Sequence, residues 1–349
     1  MANISLLDMQ EEGVSYGLEG LKIMIYGGNT LGKTPQAMRF PKPLLLMGET
    51  GGSALKGVKK HMKSKKVFLD TVKELTDEKT LEQYKEKFQT IVVDCIEDII
   101  ELFEIALCKE YGVKDVGEIQ GLQKGNPNGY SVYRKEFKQQ INLLTGCGYT
   151  VVFIAHEEKV QIPTGENDKD GKAITKDFIQ PKGSNGDKSS SRFIRDICDF
   201  RFFIRSSGID KATNKAMMSQ AWCVETDAFY SGSRFNCRPI INPFTAENII
   251  EAIEEAQKKS AEDYGSDLVA YSRNTEQYTK DDYLNDIKPY MTRLYKPYPQ
   301  LVLEIVASQL GDGVPVSKAT DDQLVELETI YNKLVDLSVE RGIYVDLNE

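Results

Sequence analysis

The chain has 349 residues, is 40% hydrophobic and carries a formal net charge of −9. That length accommodates one large domain or two smaller ones, and the acidity argues against a nonspecific nucleic-acid footprint over the whole surface. No apolar run approaches the roughly 18 residues of a membrane span, the N-terminus has no secretory pattern, and six scattered cysteines without a C-x-x-C pair suit a reducing cytoplasm rather than a disulfide framework or zinc site.

In chain order, "LKIMIY" (21–26), "LLLM" (44–47), "VFL" (67–69), "IVV" (91–93), "VVFIA" (151–155) and "FRFFI" (200–204) read as strands. Several are continuously apolar, as in strands covered on both faces. Between them, residues 94–111 set Ile96, Ile99, Ile100, Phe103, Ala106 and Leu107 at helical spacing. Strand–helix alternation of this kind predicts a mostly parallel α/β sheet. Residues 157–192 form the longest polar stretch, with seven acidic and seven basic side chains. A loop of that length is usually functional or disordered. Residues 200–226 place two strand-like runs around a polar turn, which predicts a hairpin at the sheet's far edge. After Pro243 the pattern turns helical: Ile249, Ile250, Ile253 and Ala256 share one face, and Thr320 with Gln323 reads as a capping box. The division that follows is a core over 1–244, a helix and linker over 245–282, and a helical tail over 283–349. Residues 245–349 carry 21 acidic and 10 basic side chains, a net of −11, which leaves +2 for the first 244.

Gly27, Gly28, Asn29, Thr30, Leu31, Gly32, Lys33 and Thr34 fit G-x-x-x-x-G-K-[ST] completely, directly after an apolar run. Such a loop turns backbone N–H groups toward phosphates, sends its lysine to the β/γ oxygens and offers its hydroxyl to Mg²⁺. ATP and Mg²⁺ are therefore the expected ligands. Asp94 ends the strand "TIVV", where it either holds Mg²⁺ or caps the helix that follows. Cys95 comes next, so a carboxylate to orient water must be sought elsewhere. Glu49, in the turn "GETGG", is either that carboxylate or a solvated loop residue. His156, at the end of "VVFIA", is either a donor to the γ-phosphate or a histidine satisfied by local backbone.

The order of these motifs, with "FPKPLLLMGETGG", "TIVVDCIEDI" and "VVFIAHEEK", resembles phage-encoded AAA-type nucleotide-binding proteins with a RecA-like core, a group that includes single-strand annealing ATPases. The resemblance spans roughly residues 20–240. It implies a RecA-like P-loop NTPase core with Glu49 as catalytic carboxylate, Lys33 and Asp94 (with Mg²⁺) neutralising phosphate charge, and His156 as γ-phosphate sensor. It also implies ATP sites at the interfaces of a homo-oligomer. Sites shared in that way need a cation from the neighbour, and Arg234, near the final core strand, is either that cation or an ordinary surface arginine. The resemblance further implies that the stretch after His156 corresponds to a DNA-contacting loop; Lys172, Lys176, Lys182, Lys188 and Arg192 in its second half either meet the phosphates of single-stranded DNA or belong to a merely flexible loop. Two departures stand out: Gly48 occupies a position that usually holds Asp, and the loop is not net basic.

These features support an ATPase of phage replication or recombination, at work with phage or host proteins in the bacterial cytoplasm and away from membranes. The alternative is a nucleotide-gated scaffold that recruits a partner through its acidic tail, by the face of Leu324, Leu327, Ile330, Tyr331 and Leu334. A small-molecule kinase fits less well, because no arginine-rich lid follows the core pattern. The lysine cluster Lys59–Lys66 reads as a solvated face or a second nucleic-acid patch.

Overall fold

In the computed structural model, which describes residues 11–48, 55–119, 129–183, 192–271, 279–320, 323–343 and 345, the chain divides between Arg273 and Asn274 into two units. The first opens with a short strand, β1 (Val14–Tyr16), and then the apolar β2 (Lys22–Gly27), helix α1 (Lys33–Ala37), β3 (Pro43–Met47) and β4 (Val58–His61). Two helices, α2 (Lys65–Thr76) and α3 (Leu81–Lys87), lead to β5 (Thr90–Asp94), α4 (Ile96–Tyr111), α5 (Gly129–Gly146) and β6 (Thr150–Ala155). A long hairpin follows, made of β7 (Glu157–Asn167) and β8 (Ala173–Pro181). The remainder of the unit comprises α6 (Arg192–Ile197), β9 (Phe200–Arg205), the small pair β10 (Ile209–Asp210) and β11 (Lys215–Ala216), then β12 (Gln220–Trp222), β13 (Gly232–Ser233), β14 (Ile240–Ile241), α7 (Ala246–Tyr264) and β15 (Leu268–Ala270).

Nine of these strands form one sheet in the order β14-β12-β9-β2-β6-β5-β3-β4, with β13 also on β9. From β9 to β4 every pairing is parallel; β12, β13 and β14 pair antiparallel at the far edge, as the hairpin reading of 200–226 predicts. The mostly parallel α/β core is thus present. Both faces are covered, which is why its strands are nearly continuous in apolar residues. On one face Phe68, Phe103 and Phe137 meet at centroid distances of 5.2 to 5.5 Å beneath α2, α4 and α5. On the other, Ala37 and Phe40 join Ile249, Ile253 and Ala256 of α7. The Ala246 N–H donates to the side-chain oxygen of Gln36 at 2.9 Å, which ties α7 to α1.

Two expectations are corrected, and the lysine cluster is placed on its elements. "VFL" (67–69) is not a strand but part of α2, because Ser64 caps the helix by accepting the Val67 N–H, and Phe68, Val72 and Leu75 recur at helical spacing on its buried face. The stretch from Lys59 contributes β4, an edge strand whose lysines discourage further strand addition, while Lys65 and Lys66 open α2. Residues 157–181 are a β-hairpin rather than an irregular loop: Glu157 pairs with Pro181 and Pro163 with Thr175, and a bulge separates these from the Asn167–Ala173 pair. Val160 and Ile162 alternate with exposed residues, and Asp168 closes the turn by accepting the N–H groups of Asp170 and Lys172.

Among its described residues, the second unit holds three α-helices, α8 (Lys280–Tyr295), α9 (Pro299–Leu310) and α10 (Leu324–Glu340), around a core of Ile287, Leu294, Val302, Val306, Leu327, Ile330 and Leu334. Thr279 forms a capping box with Asp282 at the start of α8. At α10 the reading is modified: Gln323 accepts from the Thr320 N–H, but the helix begins only at Leu324. Among the described residues, no helix is long and apolar enough to cross a membrane.

Candidate functional site

β2 lies near the middle of the sheet and delivers the glycine-rich turn to its C-terminal edge, where parallel α/β sheets bind ligands. Gly27 must be glycine: a Cβ there would meet the Ile204 carbonyl oxygen of β9 at 2.5 Å, and its φ is +152°. Asn29, Thr30 and Leu31 form the outer arc of the turn. Thr30 takes φ +62°, a conformation that costs a non-glycine residue on the order of 1–3 kcal/mol. Gly28 and Gly32 complete the loop, and Lys33 opens α1. The Lys33 side chain is 7% exposed, and its ammonium donates to the Gly27 and Gly28 carbonyls, each at 2.7 Å. Burial lowers its pKa, and the neighbouring carboxylates of Asp94, Glu97 and Glu157 work against that shift.

The Thr34 hydroxyl donates to Asp94 Oδ2 at 2.7 Å. Asp94 therefore faces the loop and does not cap α4, whose N-cap is Cys95. Burial raises the Asp94 pKa, and the Thr34 hydrogen bond pulls it back. A hydroxyl and a carboxylate at this separation form a hard-oxygen pair suited to Mg²⁺ among water ligands, so the residues present fit that ion.

His156 follows β6 directly. Its N–H donates to Glu97 Oε1 at 2.8 Å, its ring Nδ1 lies 3.5 Å from the same oxygen, and its carbonyl accepts the Lys182 N–H at 2.8 Å. The next residue, Glu157, brings a carboxylate oxygen to 3.6 Å from where a Cβ on Gly28 would sit. Glu97 is a residue that sequence reasoning missed. Cys95, Glu97 and His156 have donor atoms within 4.8 Å of one another. Burial pushes the Cys95 thiol up, however, and that thiol donates to Asp98 Oδ2 at 2.8 Å, so it is not a prepared metal ligand.

Glu49 and Lys188 lie outside the described residues. Gly48 is packed against α4: a Cβ there would fall 2.4 Å from the Asp98 Cβ, so an aspartate at 48 has no room, and Asp98 brings its carboxylate to that neighbourhood instead. Arg234 is not at the phosphate loop of its own chain. Its guanidinium lies 3.4 Å from Asp199 Oδ1, and Asp199 Oδ2 accepts the N–H of Lys22, which opens β2. Gly27 closes β2, so the arginine sits at the opposite sheet edge, roughly 17 Å away at the usual strand rise.

The basic residues after His156 are spread along the hairpin and beyond it. Lys172 is exposed in its turn, Lys176 on β8 lies 3.5 Å from Asp227, Lys182 stands at the base, and Arg192 pairs with Asp196 at 3.8 Å on α6. Among the described ones, Lys176 and Arg192 are thus each offset by a carboxylate.

A family model described as an AAA domain matches residues 19–235. The chain is also 32% identical over 348 residues to the SPbeta prophage-derived uncharacterized protein YorG of Bacillus subtilis (strain 168), an alignment that covers 97% of this chain and 99% of that protein.

Proposed function

The chain belongs to the AAA-domain family of P-loop nucleotide-binding proteins, and from that premise we propose that it hydrolyses ATP with Mg²⁺ and couples the cycle to single-stranded DNA in phage replication or recombination. The observation that carries the reading is the Thr34–Asp94 hydrogen bond beside a complete phosphate loop, with Lys33 held by the loop's own carbonyls. Bound phosphates offer the Lys33 ammonium charged oxygens in place of those two carbonyls. When bound, Mg²⁺ supplies charge neutralisation at the β/γ oxygens. Glu49 orients the attacking water, and His156 meets the γ-phosphate. Arg234, at the far sheet edge, acts only on a neighbour's nucleotide, so the working form is a homo-oligomer with ATP between subunits. The prophage origin of the relative supports a site of action in the bacterial host cytoplasm.

The scaffold reading is weaker. Leu327, Ile330 and Leu334, the centre of the face that would dock a partner, are already buried against α8 and α9.

A direct test of the DNA part is anisotropy of a labelled oligothymidylate, with a non-hydrolysable ATP analogue and then with ADP. Tighter binding in the analogue state, lost when Lys172, Lys176 and Lys182 become glutamate, is the expected result. Equal binding in both nucleotide states, unaffected by those substitutions, refutes it.

A further inference from the structure

The carboxylate of Glu97, in the first turn of α4, is buried more deeply than its own helix requires. Glu97 is the second residue of α4, a position where an acidic side chain ordinarily stays solvated and gains from the helix dipole. Here the side chain is only 11% exposed. Its Oε1 takes the His156 N–H and lies close to the His156 ring, while Oε2 is buried with no hydrogen-bond partner among the described residues. Burying a half-satisfied carboxylate opposes folding, so local helix formation does not account for this placement.

What Glu97 joins does account for it. In sequence it stands three residues after Asp94, the last residue of β5, which accepts the Thr34 hydroxyl. Across the sheet it holds His156, the single residue between β6 and β7. The His156 carbonyl takes the Lys182 N–H, so His156 also ties down the returning end of the hairpin. Glu157, the first residue of β7, has its carboxylate beside Gly28. Asp94, Glu97 and Glu157 all act on the one Lys33 ammonium. A triphosphate at Lys33 adds negative charge to this cluster. Glu97 and Glu157 are the carboxylates that connect the cluster to the hairpin.

We infer that Glu97 is a positioning residue: acting through His156, it sets the base of the β7–β8 hairpin against the phosphate loop, so that nucleotide occupancy changes the hairpin's exposure. The inference rests on the reading of the phosphate loop as an ATP site. It adds a route from that site to the hairpin that neither the motif nor the family match contains.

The test is limited trypsin proteolysis at Lys169 and Lys172, both exposed in the hairpin turn, with and without a saturating non-hydrolysable ATP analogue. In the unaltered protein the analogue changes the cleavage rate by about fivefold or more, the lower end of typical coupling between sites. Glu97→Gln keeps the side chain's size and an oxygen for the His156 N–H. It binds the analogue with Kd within about threefold of the unaltered protein, because it leaves the phosphate loop intact, yet its cleavage rate no longer responds. Glu97→Ala, which removes the acceptor for the His156 main-chain N–H, gives the same loss. Thermal melts confirm that each variant is folded. A Glu97→Gln protein that responds like the unaltered one overturns the inference, as does analogue binding to the unaltered protein without any cleavage response. Failure of the analogue to bind the unaltered protein, measured beside Lys33→Ala, sinks the nucleotide reading and takes this inference with it.

Discussion

At the scale of single residues, the site is built from groups whose charge is held against burial. Asp94 is the clearest case, since burial raises its pKa above the ordinary 3.8. Between 3.8 and that higher value the folded chain holds the proton more tightly than the unfolded chain. Unfolding free energy therefore falls as pH rises through this window, and at neutral pH the ionised carboxylate is a cost. Asp94→Asn keeps an oxygen for the Thr34 hydroxyl and removes that cost. At pH 7 its melting temperature is expected to equal or exceed that of the unaltered protein, while Mg²⁺-dependent turnover falls by about 100-fold or more. The fall in stability as pH rises above the ordinary carboxylate range should flatten in the same variant. A clear drop in melting temperature at pH 7 contradicts this account. At this scale the phosphate loop and Asp94 were legible because their spacing and strand context are local. Glu97 was not, because its role depends on the start of α4 meeting the end of β6, strands of sequence 59 residues apart. In sequence it looks like any first-turn carboxylate.

At the scale of elements, strand-like runs of three to six residues located β2, β3, β5, β6 and β9 within a residue or so. The run Val67–Leu69 is as long as Ile91–Val93, which is a strand, so length does not separate the two; the Ser64 cap and the positions of Phe68, Val72 and Leu75 on one helical face decide it. The hairpin was hidden for a different reason. Its strands are mostly exposed, so polar residues dominate, and the register is carried by Val160, Ile162 and Phe178 and a turn at Asp168–Gly171. This exposure leads to a prediction. Replacing residues 164–172 with a two-residue Asn-Gly turn removes little buried surface, so melting temperature should move by no more than about 2 °C, as for changes away from packed sites. Single-strand binding should fall steeply. A large loss of stability, or unchanged DNA binding, assigns the hairpin a structural role instead. By contrast, Phe137→Ala opens the aromatic cluster with Phe68 and Phe103 and should cost about 3–5 kcal/mol in chemical denaturation.

At the scale of the whole molecule, each unit has its own apolar core: two layers on the sheet in the first, one three-helix core in the second. Composition foreshadowed this by concentrating the acidic excess after residue 245. It did not show that α7 belongs with the sheet, since that depends on which surface its Ile249–Ile253 face covers. Calorimetry should therefore resolve two transitions. Mg·ATP should raise only the one belonging to residues up to 273, by mass action on the folded state that binds it. One cooperative transition, shifted as a whole, contradicts independent cores. The oligomer proposed from Arg234 belongs to this scale as well, because within one chain that residue sits at the sheet edge remote from the phosphate loop.

The most direct measurement is ATP turnover by the full-length protein, with and without single-stranded DNA, beside Lys33→Ala. The expected result is Mg²⁺-dependent turnover that single-stranded DNA stimulates and that Lys33→Ala abolishes. No turnover in either condition, or turnover that survives Lys33→Ala, contradicts it.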